Sequence, residues 1–486
     1  MGQVARSGAV AEKRMTRTEI LIVGAGPTGL GAAWRLDAHG HRDWLLVEGG
    51  DGPGGLARSV VDAHGFTWDL GGHVQFSHYE FFDVLMDDLL GADGWLHHER
   101  ESWVWVHGGF VPYPFQLNLH RLPADVRDAC VRGLERAGAS PEGTPSHFGE
   151  WIDATFGEGI ASVFMRPYNF KVWARHPELM SSHWIGDRVA VVDLNRVRAN
   201  IASGRDDVSW GPNNRFRFPK RGGTGAVWRA LGRRLEQRHP GRLQYRRALR
   251  QVDTAAHRAL FSDGTTIEYE RLLTTVPLDR FVAMSDLDES LGPVTRDLEY
   301  SSTHVIGVGL DGQPADELRA KCWMYFPESD CPFYRVTHFS HYSPRNVPDS
   351  TRQWSLMAEV SESSHKPVDS ARVVADTIAG MVSTRLIASA SDVHHTWHCR
   401  LEHGYPVPSL NRDRALDILL PELEQRQVYS RGRFGAWKYE VSNQDHSVAQ
   451  GVEVVDRWLQ GSIEETLCTP EVVNARRPAP RTAVRS

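Results

Sequence analysis

Residues 19–48 constrain this chain most. An apolar run at 19–23 leads into Gly24-Ala25-Gly26-Pro27-Thr28-Gly29, a helical stretch follows over 30–38, and a second apolar run at 44–48 closes on Glu48. In such a G-x-G-x-x-G turn Gly24 permits the tight strand-to-helix reversal. Gly26 lets the backbone approach a pyrophosphate, and Gly29 lets the helix pack close to the strand. The helix N-terminus, near Thr28, then turns its free N–H groups and positive dipole end toward the phosphates. Glu48 stands where a carboxylate accepts from a ribose hydroxyl and would repel a 2′-phosphate. The pattern predicts a βαβ dinucleotide-binding unit of Rossmann type.

Two further glycine pairs decide which dinucleotide. Gly54-Gly55-Leu56-Ala57-Arg58-Ser59 follows Glu48 closely, and Asp69-Leu70-Gly71-Gly72-His73 comes soon after. A nicotinamide site needs neither pair. Flavoproteins resembling the amine oxidase and glutathione reductase superfamily carry both, because extended FAD threads past successive backbone turns. The stretch Arg221-Gly222-Gly223-Thr224-Gly225 lacks the spacing of a second phosphate turn. FAD is therefore the expected cofactor, and NADPH or NADH, as reductant, must enter the flavin's own cleft.

The chain is too long, at 486 residues, for one ordinary core. The expected division is a flexible leader at 1–16, then an FAD-binding domain from 17–98, 216–285 and 421–465. A helical insertion domain covers 119–205, an antiparallel sheet domain carrying substrate contacts uses 99–118 and 286–420, and 469–486 form a disordered tail. The fold class is α/β. A hydrophobic share of 41% with 24% charged residues is that of a soluble globular protein. A net charge of −6 gives no support for nucleic acid or an anionic membrane as partner. The five cysteines are scattered without a C-x-x-C pair, so neither a disulfide framework nor a zinc site is indicated and no metal is expected. The apolar run at 20–23 is too short to span a bilayer, and cytoplasm is the default location.

Longer blocks carry a resemblance. They include Gly71-Gly72-His73-Val74-Gln75-Phe76-Ser77-His78-Tyr79, Val111-Pro112-Tyr113-Pro114-Phe115-Gln116 and FMRPYNFKVWA at 164–174. Trp210-Gly211-Pro212-Asn213, SSTHVIGVG at 301–309 and CPFYR at 331–335 follow. His403-Gly404-Tyr405-Pro406 and SRGRFGAWKYEVSNQDH at 430–446 complete the set. From about residue 18 to about 457 the chain resembles UDP-galactopyranose mutase of the fungal and trypanosomatid type. The resemblance implies an isomerase, an intramolecular transferase that interconverts UDP-galactopyranose and UDP-galactofuranose. In that family the N5 atom of reduced flavin is the nucleophile at the anomeric carbon, so the enzyme must be reduced although its reaction is redox-neutral.

The resemblance also implies residue roles. Arg188, Arg335 and Arg433 face the diphosphate, helped by the hydroxyls of Tyr325, Tyr405 and Tyr439; fixed positive charge suits a departing diphosphate. His73 lies against the flavin and positions a loop. Trp323 and Asn213 contact the hexose, while Phe76, Tyr113, Gln116, Phe164, Asn169 and Trp173 form the uridine pocket. Asn443, Gln444 and Ser447 close over FAD. Replacing Arg335 is expected to leave FAD content unchanged, since the flavin is held by a different domain. A homo-oligomer is compatible with the sequence and is not specified by it.

The sequence departs from the family's pattern at Gln75, where an aliphatic residue is usual beside His73, and at Ala190-Val191-Val192-Asp193 after Arg188. Asn214-Arg215 add a cation expected near the sugar. These changes leave the hexose open, so a mutase for another nucleotide hexose is one alternative. An FAD oxidase of the amine oxidase superfamily is another, and a nucleotide-sugar-binding flavoprotein without turnover a third.

Overall fold

The computed structural model describes residues 15–137, 145–191, 193–208 and 214–476. Asn213 and the rest of its block at 210–213, and Val192, lie outside the described residues. The first sheet has seven strands and centres on Met15–Val23. That strand runs parallel to Trp44–Val47 on one side and to Thr266–Thr274 on the other. Thr266–Thr274 in turn pairs in parallel with Val428–Ser430 and continues into an antiparallel meander through Arg258–Phe261 and Leu249–Asp253. The run at 20–23 is apolar throughout because helices cover both faces. Ile20 and Ile22 pack with helices Pro27–Ala38, Gly225–Arg238 and Gln444–Gln460, while Leu21 and Val23 join Phe281, Leu416 and Trp437 on the other face.

The second sheet also has seven strands, in the order Val393–Pro406, Tyr300–Asp311, Gln353–Glu362, Arg335–His338, Trp323–Tyr325, Ser102–Val106, Gly109–Pro112. Its pairings are antiparallel except one: Trp323–Tyr325 runs parallel to Ser102–Val106. The expected antiparallel sheet is thus mixed at that seam. The reason is that a strand from early in the chain has been added to a hairpin from late in it.

Helices Ala124–Ala137, Phe148–Ile160, Arg166–Trp173 and Leu194–Ser203 occupy the region expected to be helical, and a π-helical segment, Ala161–Met165, joins the second to the third. Gly157 breaks its helix with φ 66°, and a Cβ there would meet the Gly133 carbonyl oxygen at 2.1 Å. Gly159 stays helical and lets that helix close on Cys130.

Both expected ends need correction. Met15 and Thr16 are not leader but strand, paired with Thr266 and Ile267. Residues 470–474, expected as disordered tail, form a short helix, Pro470–Asn474, anchored by the fully buried Val473. Among the described residues no helix is long and apolar enough to cross a membrane.

Candidate active site

A cavity of about 980 Å³ lies between the two sheets. At one end the glycines make a cradle. Gly24 has φ 108°, and a Cβ on it would meet Thr275 Oγ1 at 2.0 Å. A Cβ on Gly29, which stands behind the cradle, would fall 1.9 Å from the Gly24 carbonyl oxygen, so only glycine lets this helix sit on its strand. Gly26 and Gly55 face each other at close range: a Cβ on Gly55 would lie 3.2 Å from Gly26 Cα. Gly54, behind the lining, donates its N–H to the Ala25 carbonyl at 2.8 Å. Glu48 accepts from Ala25 N–H at 2.7 Å and from Gly50 N–H at 2.6 Å, which fixes its carboxylate on the cavity wall with lone pairs left for a hydroxyl. Thr28, Leu56 and Arg58 also line this end.

Two helix N-termini open into the cradle, those of Pro27–Ala38 and Gln444–Gln460. Neither Gly26 nor Asn443 caps its helix through a side chain, so first-turn N–H groups remain for an anion. The helices touch through small residues, with Gly31 against Val448 and Gly451 against Thr28. Asn443, Gln444 and Ser447 line the cavity from the second helix. Gln444 Oε1 accepts from Gln75 Nε2 and Trp228 Nε1, each at 2.9 Å. This accounts for Gln75: it is buried, and its amide has a partner.

At the other end Arg188, Arg335 and Arg433 come from three distant segments. Arg433 donates to Ser442 Oγ at 2.9 Å and the Gly404 carbonyl at 3.2 Å and stacks on Tyr405 at 4.8 Å. Arg188 donates to the Glu440 carbonyl at 2.5 Å and stacks on Tyr439 at 5.0 Å. Arg335 donates through Nε and Nη2 to Glu359. Tyr325 accepts from Trp323 Nε1 at 2.5 Å. Burial holds the phenols of Tyr325 and Tyr405 above their ordinary pKa, so both stay O–H donors.

Gly71, with φ 132°, and Gly72 bring His73 between the two ends. Burial lowers the His73 pKa to about 4; Arg433 and Arg335 act in the same direction and Glu359 opposes them. The imidazole is neutral at neutral pH, and its Nδ1 is buried without a hydrogen-bond partner.

The model of the family described as flavin containing amine oxidoreductase matches residues 27–408. A crystal structure of a reduced UDP-galactopyranose mutase superposes with a TM-score of 0.91 at 48% sequence identity, over 95% of this chain and 98% of that one. The chain belongs to the UDP-galactopyranose mutase family. A CLA-producing fatty acid isomerase from P. acnes, with 16% identity, a TM-score of 0.61 and coverage of 91% and 99%, shares the fold alone. So does a putrescine oxidase with 14% identity, a TM-score of 0.63 and coverage of 92% and 100%. Flavin is the cofactor of the wider family, and the uncapped helix ends and glycine cradle fit its pyrophosphate.

Of the residues expected to contact the uridine or the hexose, Phe76, Tyr113 and Trp323 line the cavity, whereas Gln116, Phe164, Asn169 and Trp173 stand behind its wall. Phe164 stacks among Phe115 and Tyr168, and Trp173 lies edge-on to Tyr405 and Tyr439. Asn169 donates to the Met165 carbonyl. Gln116 Nε2 donates to the Ala190 carbonyl at 2.9 Å, while its Oε1 is buried without a hydrogen-bond partner. Arg215 is not the extra cation near the sugar: its side chain is 85% exposed and pairs with Glu99 on the outer surface. Arg100 occupies the cavity wall instead, its guanidinium 5.6 Å from the Tyr113 ring centroid.

The sequence reading missed Arg100 and also Glu359, which accepts from Gly72 N–H at 3.0 Å as well as from Arg335. A lone carboxylate within the apolar run WSLMAEV was the available signal for Glu359.

Proposed function

We propose that this chain is a UDP-galactopyranose mutase of the fungal and trypanosomatid type, interconverting UDP-galactopyranose and UDP-galactofuranose in an FAD-dependent, redox-neutral isomerisation. One observation carries the reading: a single cavity joins the dinucleotide cradle to three arginines backed by tyrosine hydroxyls. The 48% identity to a known mutase supports it and disfavours an oxidase. Bound FAD, once reduced, supplies a nucleophilic nitrogen for the anomeric carbon. The chain itself binds the uridine near Phe76 and Tyr113, which line the cavity, and stabilises the leaving diphosphate through Arg188, Arg335 and Arg433. Tyr325, Tyr405 and Tyr439 donate hydrogen bonds to the same oxygens. Neutral His73 holds the Gly71–Gly72 turn and does not donate a proton at neutral pH.

NADPH or NADH is the proposed reductant, entering the same cleft. Five free cysteines, Cys130, Cys322 and Cys331 among them buried, suit a reducing compartment and thus the cytoplasm. The test is turnover of UDP-galactofuranose by the FAD-loaded protein before and after dithionite. Conversion to the pyranose only after reduction is expected. Equal turnover in both states rejects the mechanism.

A further inference from the structure

The short C-terminal helix Pro470–Asn474 forms part of the cavity wall. Asn474 lines it beside Trp184, Ile185, Gly186 and Arg188, and Val473 is buried beneath. The Glu440 carbonyl accepts from two directions: Arg188 Nη2 at 2.5 Å and Asn474 Nδ2 at 2.9 Å. Asn474 Nδ2 also reaches the Pro470 carbonyl at 2.9 Å, so its own helix orients the amide. The Glu440 carboxylate is locked in turn by the buried Arg412, at 2.8 and 3.0 Å. A carbonyl oxygen has two lone pairs and can hold both donors at once.

Arg188 needs such an anchor. It ends a single 3-10 turn, Gly186–Arg188, and its long side chain carries large rotamer freedom that must be lost on gripping a ligand. Tyr439 supports one face of the guanidinium, and Arg188 Nε is buried without a hydrogen-bond partner. The guanidinium is therefore held at one nitrogen and has donors to spare.

We propose that Asn474 is a positioning residue for Arg188, and that the C-terminal helix belongs to the diphosphate-binding wall. Asn474 on the carbonyl and Arg412 on the carboxylate hold Glu440 where its carbonyl pre-orders Arg188, so that substrate meets a cation already in place. The proposal rests on the reading of Arg188 as a diphosphate ligand.

The test uses the reduced, FAD-loaded full-length protein with Asn474→Ala, Arg188→Ala and the double variant, beside chains ending at Thr469 and at Arg476. Asn474→Ala is expected to raise KM by about three- to tenfold, the loss of one hydrogen bond, with kcat within about twofold. In the Arg188→Ala background Asn474→Ala should add nothing further. The chain ending at Thr469 should match or exceed the KM change, and the chain ending at Arg476 should behave as wild type. An unchanged KM for Asn474→Ala, while Arg188→Ala raises it, overturns this proposal alone. So does a parallel fall of kcat and FAD content, or full multiplication of the two KM effects in the double variant. If Arg188→Ala leaves KM unchanged, the diphosphate reading itself fails.

Discussion

Replacing Arg335 by alanine tests how the two ends of the cavity depend on each other. Burial works against the charge of both Arg335 and Glu359, and each overcomes it through the other: the arginine pKa is raised and the carboxyl pKa lowered. The Glu359 side chain is only 3% exposed. Alanine at 335 strands that carboxylate, and breaking one side of a buried ion pair costs about 3–5 kcal/mol. The lost contact to the substrate diphosphate is worth about 1.5–3 kcal/mol, which appears as roughly a ten- to hundredfold drop in kcat/KM. The sequence reading expects FAD content to survive this change. The bond from Gly72 N–H to Glu359 revises that expectation: the stranded carboxylate sits on the flavin-side glycine pair, so FAD retention should fall too. Arg335→Lys keeps a cation beside Glu359 and should recover most of the stability but not the planar fork that suits phosphate. Urea unfolding, flavin content per protein and kcat/KM after reduction are the three measurements. A wild-type unfolding midpoint in Arg335→Ala refutes the buried-pair argument, and full kcat/KM in Arg335→Lys refutes the role of the fork.

Gly29→Ala should yield protein without bound FAD, because the methyl group would meet the Gly24 carbonyl oxygen at 1.9 Å; flavin absorbance of the purified protein reads this directly. Asp69 is fully buried, and burial raises its pKa from 3.8 to about 7 against hydrogen bonds from Ser59 and Thr224. Between those values the folded state holds a proton that the unfolded state has released, so stability should fall as pH rises through that window, by at most about 4 kcal/mol. Asp69→Asn should flatten the pH dependence of the urea midpoint, and an unchanged slope would contradict the assignment. His73 titrates about 4 and not at its ordinary 6.5. The pH profile of kcat/KM should therefore show no inflection near 6.5 that His73→Asn removes.

The cradle was legible because its chemistry is local. Gly24, Gly26, Gly29 and Glu48 fall in one short stretch whose spacing allows few geometries, and the same holds for Gly71, Gly72 and His73. The arginines became legible only through resemblance, since nothing around Arg188 or Arg433 in the chain marks them off from surface cations. Glu359 and Asn474 take their meaning from partners remote in sequence, Gly72 and Arg188, which no spacing reveals. Arg215 shows the reverse error: adjacency to Asn213 suggested a place in the cavity, but its strand pairs with Trp95–Glu99 and turns the side chain outward. The tail was misjudged because its Pro and Arg content outweighed one residue, Val473, whose burial orders the helix.

The strand order of the first sheet has a consequence for synthesis. Met15–Val23 leaves the ribosome early, yet its parallel neighbour Thr266–Thr274 and the next strand, Val428–Ser430, arrive far later. The helix Gln444–Gln460, which packs against Pro27–Ala38 and contributes the second phosphate-facing N-terminus, comes later still. Until then the apolar strand 20–23 has neither its long parallel neighbour nor a complete helical cover. A nascent chain shorter than about residue 460 thus has no complete cradle, and FAD loading must follow synthesis of the helix Gln444–Gln460. Contacts this distant make folding slow and leave the early strand open to aggregation or chaperone capture. Free FAD supplied during translation should not rescue chains stopped before that helix, whereas it should raise the yield of the complete one.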